Sequence, residues 1–148
     1  MSIAVDVSRD GVRIALSEQR VREIVRSVCR RERVGEALIS VAFIRNAAMA
    51  KMNREFLGHA GPTDVITFEL GGGAQPRSSR RAIVGDIYIA PDVARGNAIE
   101  NGVGVREELT RLVIHGTLHV LGYTHAEGPH RTTGDMWRRQ EEILAAIL

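Results

Sequence analysis

The segment 114–125 constrains the fold of this chain more than any other. Within it, His115 and His119 stand four residues apart, and His125 follows shortly after Gly122. On a helix, side chains four positions apart project from the same face at neighbouring turns. A glycine just past a helix end permits the left-handed backbone that reverses the chain. We therefore predict a helix that stops at Gly122 and a reversal that returns the third histidine to the other two.

Three imidazoles that converge in this way form the ligand set of a metal ion, and zinc fits them best. Imidazole nitrogens bind Zn²⁺ at about 2.0–2.1 Å, and three protein ligands leave the fourth tetrahedral position open to water. We predict one Zn²⁺ ion per chain, bound by His115, His119 and His125, with a zinc-bound water as the reactive group. His130 lies in a polar loop with glycine and proline, and we expect it to be exposed.

The same spacing occurs in the metzincin peptidases, whose motif is H-E-x-x-H-x-x-G-x-x-H. Here Gly116 stands where those enzymes carry the glutamate that acts as general base, and glycine cannot move a proton. Met136 lies eleven residues past His125 and could imitate the methionine beneath a metzincin site, although a core position is the preferred interpretation. A metal-dependent peptidase or other hydrolase is therefore an alternative that Gly116 disfavours.

Composition limits the class of protein further. The chain has 148 residues, a net charge of +2 and one cysteine, Cys29, so an internal disulfide is excluded. We find neither a membrane-length apolar run nor a signal peptide, and we expect a cytoplasmic protein without a membrane partner. Of 20 basic residues only Lys51 is a lysine. Arginine suits RNA phosphates and bases, but a genomic bias toward arginine codons is the preferred explanation, so charge permits RNA binding without indicating it.

The apolar patterns predict an α+β protein in which a small mixed β-sheet packs against helices, one of them zincin-like and metal-bearing. We expect a single domain over 1–148, with Cys29 as a buried small hydrophobe. Segment 71–81 is glycine-rich and basic but is no P-loop, and is either an RNA contact or a plain solvated loop. We predict five strands, over 3–7, 12–16, 38–44, 63–70 and 82–90. We also predict five helices: one begins after the cap Ser17, one begins at the cap Asn46, one begins at Pro91, and the last two cover 105–121 and 133–147.

Beyond the histidine spacing, several blocks resemble the YbeY family of bacterial single-metal endoribonucleases and rRNA maturation factors. The family signature H-G-x-L-H-L-x-G-Y-D-H is matched by 115–125, with valine at 120 and threonine at 124. The family's P-T-D-V-[LI]-[ST]-F block, preceded by an asparagine, matches 62–68 and Asn53, and its G-D-I-x-I strand matches 85–89. The terminal pattern M-x-x-x-E-x-x-I-L is met almost unshifted by 136–144, where Gln140 precedes Glu141.

This resemblance implies a single-strand-specific, zinc-dependent endoribonuclease. The implied tasks are late ribosome maturation, through 3′-end processing of 16S rRNA, and ribosome quality control. The implied partners are the small-subunit rRNA precursor and the ribosome or ribosomal proteins. A ribosome-assembly factor in which zinc chiefly holds the fold is a further alternative.

Four positions bear on how such a site would work. Asp64 and Asp86 are candidate carboxylates for orienting a ligand or moving a proton, with a turn and a strand role as their respective alternatives. Leu57 replaces an arginine that many family members carry, and His59 or an arginine elsewhere could substitute for it. Thr124 replaces the usual aspartate before the third histidine, a change that should leave the metal in place.

Overall fold

The fold is a four-stranded mixed sheet with helices on both faces. The structure is a computed structural model that describes residues 2–71, 82–124 and 134–148. Strand order is β1-β2-β4-β3, with β1, β2 and β4 parallel and β3 antiparallel to β4. The described strands are β1 (Ser2–Arg9), β2 (Glu36–Phe43), β3 (Val65–Gly71) and β4 (Ile83–Ile89). The described α-helices are α1 (Glu18–Arg31), α2 (Asn46–Met52), α3 (Pro91–Asn101), α4 (Val105–Val120) and α5 (Asp135–Ile147). This architecture confirms the predicted α+β class.

Helix α1 shows how local sequence sets these elements. The Ser17 side chain accepts a hydrogen bond from the backbone N–H of Arg20 at 3.0 Å, which satisfies one of the donors that a helix start leaves unpaired. The apolar stripe of α1 is buried, and Cys29 is 0% exposed within the core, as predicted. None of the helices in the described ranges has the length and apolar character needed to cross a membrane.

The two faces of the sheet differ in what covers them. Alternate strand residues such as Ile39 and Ile87 are fully buried on the face that packs against α1 and α4. The opposite face carries a smaller cluster, which Met49 of α2 forms with Ile66. A π-helical turn, Asn53–Leu57, continues α2 on that side. Because successive strand residues point to opposite faces, the register decides which side chains can reach α4.

Two sequence predictions about local structure were wrong. In the described chain, residues 12–16 belong to no strand, although Leu16 is buried and Val12 and Ile14 pack on the core. Gly11 has φ +66, so the chain turns away as soon as β1 ends, and the alternating apolar residues pack without joining the sheet. The cap of α2 is Arg45 rather than Asn46, which already lies inside the helix.

Helix α4 lies unusually close to β4, and two glycines make this possible. A Cβ at Gly116 would come within 2.6 Å of Ile87 Cγ2. On the strand side, a Cβ at Gly85 would come within 2.4 Å of Val120 Cγ1. Real Cβ atoms do not approach this closely, so each glycine accommodates a branched side chain of the other element. The position of α4 above the sheet therefore depends on both glycines.

We predict that Gly116→Ala destabilises the fold by about 1–3 kcal/mol, because the added methyl group overpacks against Ile87. The matched control is Gly96→Ala in α3, where a Cβ would meet no described atom within 4 Å. That control should gain up to about 1 kcal/mol from helix propensity. Urea unfolding of both variants measures the difference. Equal stability of Gly116→Ala and the wild type would contradict the close packing.

Candidate metal centre

Two of the three predicted ligands lie together on α4. The ring centroids of His115 and His119 are 5.2 Å apart, with the ring planes inclined by 76°. Both side chains are half-buried, while their helix neighbours Gly116 and Leu118 are buried. The i, i+4 spacing has thus brought two imidazoles to one place, as the sequence predicted.

The third predicted ligand, His125, lies outside the described residues, as do His130 and most of the basic segment 71–81. Within 2–71, 82–124 and 134–148, no group of three His, Cys, Asp or Glu side chains forms a metal site. The structure therefore describes a pair of candidate ligands, and the third remains a prediction from the sequence.

The end of α4 has the geometry that the glycine signal predicts. Gly122 has φ +108, and its N–H donates to the carbonyl of His119 at 3.0 Å. The next residue, Tyr123, donates its backbone N–H to the carbonyl of Leu118 at 3.1 Å. These bonds satisfy carbonyls that a helix end would leave unpaired. The chain is thus turned and held directly after the second histidine.

Tyr123 is also anchored through its side chain. Its hydroxyl donates to Glu32 Oε1 at 2.5 Å, and Arg139 of α5 donates to Glu32 Oε2 at 2.9 Å. The Glu32 side chain is only 8% exposed. A carboxylate this enclosed needs such partners. The three residues tie the segment after α4 to α1 and α5, two residues before His125.

His115 has a partner on the C-terminal helix. Its Nδ1 lies 2.7 Å from Oε1 of Gln140, which is 2% exposed. The Gln140 amide nitrogen donates to Glu141 Oε2 at 3.0 Å. Arg111, one turn before His115 on α4, donates from Nε to the same carboxylate oxygen at 3.0 Å. A continuous set of polar contacts therefore connects the first histidine to an ion pair.

That ion pair extends along α4 to a buried acid. Arg111 also pairs with Glu108 at 2.8 Å and with Glu107 at 3.1 Å. The pKa of Glu108 is raised above its usual 4.5, mainly because the side chain is buried. The hydrogen bond and the charge of Arg111 lower this pKa, whereas the nearby charge of Asp64 raises it further. For Arg111, burial lowers the pKa, but hydrogen bonds to Glu141 and Glu108 outweigh it and raise the pKa overall.

The two carboxylates predicted from the sequence lie in different places. Asp64 accepts a hydrogen bond from Asn97 Nδ2 at 3.0 Å and is close enough to α4 to act on Glu108. Asp86 alternates with Gly85 and Ile87, both of which face α4, so its own side chain lies on the other face of the sheet. There it accepts a hydrogen bond from Ser40 Oγ at 2.6 Å. The structure does not bring Asp86 to the histidines.

The region around Leu57 is exposed. Leu57 is 50% exposed at the end of the π-helical turn, and His59 is exposed just beyond it. Asn53, from the same sequence block, is buried and donates from Nδ2 to the carbonyl of Gly61 at 2.8 Å. Asn53 therefore has a structural role, since it closes the turn that leads toward β3.

Comparison with known proteins identifies the family of this chain. Residues 5–148 match the family model described as Endoribonuclease YbeY. The chain belongs to the YbeY family. An Endoribonuclease YbeY of Thermobifida fusca is 35% identical over 97% of this chain and 93% of its own length. The Endoribonuclease YbeY of Syntrophus aciditrophicus is 31% identical over 97% and 89%, respectively.

A solved structure shares the fold of this YbeY family member. The solution structure of TM1509 from Thermotoga maritima aligns with a TM-score of 0.60 and covers 95% of this chain and 86% of its own. Its sequence identity of 23% supports likeness of fold alone. The overall fold of this chain is therefore shared with an experimentally determined structure.

Sequence reasoning missed several residues around the histidines of this family member. Gln140 was noticed only within the terminal pattern, and Glu108 and Arg111 were not singled out. One signal was available, since Gln140 is a polar residue at helical spacing from the buried Met136 and Ile143. A polar residue on an apolar helix face usually has a buried partner. Its partner could not be identified without knowing how α5 packs on α4.

The raised pKa of Glu108 predicts a pH dependence of stability. The folded state holds this proton more tightly than the unfolded chain, so the free energy of unfolding falls as pH rises from about 4.5 through the folded-state pKa. In Glu108→Gln, position 108 cannot ionise, so the free energy of unfolding of this variant does not fall for this reason. The stability of the wild type relative to the variant should therefore decrease between about pH 4 and pH 7. Urea unfolding of both proteins across that range measures it, and a constant difference would contradict the assignment.

Proposed function

We propose that this protein is a zinc-dependent endoribonuclease that cleaves single-stranded RNA in the cytoplasm during late ribosome maturation. The proposed substrate is the small-subunit rRNA precursor at the 3′ end of 16S rRNA, and the proposed partners are the ribosome or its proteins, with a role in ribosome quality control. One observation carries the proposal: in a chain of the YbeY family, His115 and His119 lie side by side on α4, with centroids 5.2 Å apart.

The side chains fit a zinc ion. Because Nδ1 of His115 is engaged by Gln140, Nε2 is the nitrogen that this ring would present to a metal. A ligand imidazole commonly donates its other N–H to a fixed acceptor, which orients the ring. His119 stands one turn later on the same face, and His125 would complete the set. Bound zinc would supply Lewis acidity toward a phosphoryl oxygen or a water molecule.

The chain itself would set the geometry of this chemistry. The contact between Gly116 and Ile87 fixes how closely the histidine helix approaches the sheet. The charge of Asp64 acts on Glu108, which lies two turns before His115 on α4, and we propose Asp64 as the carboxylate that accepts or returns a proton during cleavage. Asp86 is left out of this proposal because its side chain lies on the opposite face.

The peptidase alternative lacks structural support. A metzincin would need a glutamate at position 116, and even a Cβ there would come within 2.6 Å of Ile87. A larger side chain at this position would move α4 away from β4. The same packing that places the histidines therefore opposes the general base of peptide hydrolysis.

We predict that His119→Ala loses zinc and RNA cleavage together, because one ligand of a three-histidine site is removed. Cleavage of labelled single-stranded RNA should fall more than about 100-fold, and zinc in the purified protein should drop far below one equivalent. A chelator should reproduce the loss in the wild type. The matched control is His59→Ala, because His59 is exposed outside α4, and it should retain zinc.

Two outcomes would overturn parts of this proposal. Stoichiometric zinc in a folded His119→Ala protein would contradict the ligand set. Intact RNA with zinc-loaded wild type, alongside tight binding to small ribosomal subunits, would contradict the nuclease and favour an assembly factor with structural zinc.

A further inference from the structure

Gln140 is unusual because it is a fully buried amide on an apolar helix face. It is 2% exposed and shares that face of α5 with the buried residues Met136, Ile143 and Leu144. Burying an amide costs free energy unless its donor and acceptor are both engaged. Its carbonyl end contacts His115, and its amino end contacts Glu141. The side chain is thus placed between a histidine and a carboxylate.

The two ends of this amide are not interchangeable. Glu141, paired with Arg111, has a carboxylate that accepts hydrogen bonds and donates none, so it selects the amino group of Gln140. The carbonyl oxygen is then directed at His115 Nδ1, 2.7 Å away. A carbonyl oxygen can only accept, so Nδ1 must carry the proton. The other ring nitrogen, Nε2, is left with the lone pair that a metal ligand needs.

Arg111 fixes the carboxylate that orients the amide. Its Nε lies 3.0 Å from Glu141 Oε2, and its Nη2 lies 3.2 Å from Glu141 Oε1, which makes a two-point pair. The remaining guanidinium donors engage Glu108 and Glu107. Two-point pairing of arginine with a carboxylate restricts orientation as well as distance. Neither Glu141 nor Gln140 can therefore rotate without breaking contacts with α4.

The neutral amide at position 140 explains why this chain needs the arrangement. A glutamate at position 140 would accept a proton from histidine whichever way its carboxylate rotated. This chain has the neutral Gln140 there and Glu141 next to it. An amide can present either its donor or its acceptor to the histidine, so a second group has to determine which end faces the ring.

We propose that Arg111, Glu141 and Gln140 form a positioning chain that holds His115 in the Nδ1–H tautomer and aims its Nε2 at the metal position. The Nδ1–H tautomer forms without bound zinc, whereas the role of Nε2 as a metal ligand rests on the proposed zinc-dependent function. Gln140 acts through His115 and is a positioning residue.

The first test is the ring tautomer of His115 in metal-free protein. Long-range ¹H–¹⁵N spectra distinguish Nδ1–H from Nε2–H rings, and a pH of about 8.5 keeps ordinary histidines neutral. The wild type should show the Nδ1–H form. Gln140→Leu should lose this preference and shift toward Nε2–H, while Gln140→Glu should restore Nδ1–H because it again offers an acceptor. An Nε2–H ring in the wild type would overturn the inference.

Two neighbouring glutamates supply a matched pair of further variants. Glu141→Leu frees the amide of Gln140 to rotate and should weaken the Nδ1–H preference. Glu142→Leu removes an exposed carboxylate that pairs with Arg139 and should leave the ring unchanged. Equal spectra for these two variants would overturn the role of Glu141. Because Glu141 is not fully buried, this pair tests the inference even if Gln140→Leu fails to fold.

The second readout is zinc affinity, measured by competition with a chromophoric chelator. Loss of the partner of a ligand histidine typically costs 10–100-fold in metal affinity. Gln140→Leu should show about this loss, while Gln140→Glu and Glu142→Leu should stay near the wild type. Unchanged affinity in a folded Gln140→Leu protein would overturn the positioning role. Failure of the proposed function looks different: the wild type would keep its Nδ1–H ring yet bind no zinc or cleave no RNA.

Discussion

The close approach of α4 to β4 is the contact on which the rest of the site depends. Gly116 lies against Ile87 and Gly85 lies against Val120, so each element accommodates a branched side chain of the other at a glycine. Interiors pack as densely as organic crystals, and a helix cannot approach a strand this closely across two ordinary side chains. The approach sets the height of α4 above the sheet. It also explains why the histidine helix carries a glycine at the position where a peptidase would carry its general base.

With α4 held at that height, α5 and α1 complete the surroundings of the histidines. Gln140 brings a polar contact from α5 to His115, and Arg139 of the same helix reaches Glu32 at the end of α1. The hydroxyl of Tyr123, just past the end of α4, also contacts Glu32. Both polar groups are enclosed, and in an enclosed place an unpaired donor or acceptor is costly, so their partners are strongly specified. The C-terminal helix therefore contributes to the surroundings of the histidines as well as to the core.

The electrostatics of α4 follow from the same arrangement. Burial alone would favour the neutral form of Glu108, and Arg111 opposes this while it also holds Glu141. A guanidinium shared among several carboxylates is a rigid element, because each pair restricts the others. Rigidity of this kind suits a site in which one ring nitrogen has to be presented in a single direction. A flexible lysine at position 111 would supply the charge without the planar, two-point geometry.

Sequence alone determined the parts that depend on neighbours along the chain. The spacing of His115 and His119, the glycine that ends α4 and the capped, amphipathic α1 are local properties, and the structure shows each of them. The family blocks are also short continuous stretches of the chain, so the resemblance could be recognised from the sequence alone. Only the tertiary structure decided which side chains meet across elements. It placed Asp86 on the far face of the sheet, kept 12–16 out of the sheet and brought Gln140 to a histidine 25 residues before it in the chain. Local periodicity specifies which face of an element is apolar, whereas register and packing specify what that face touches.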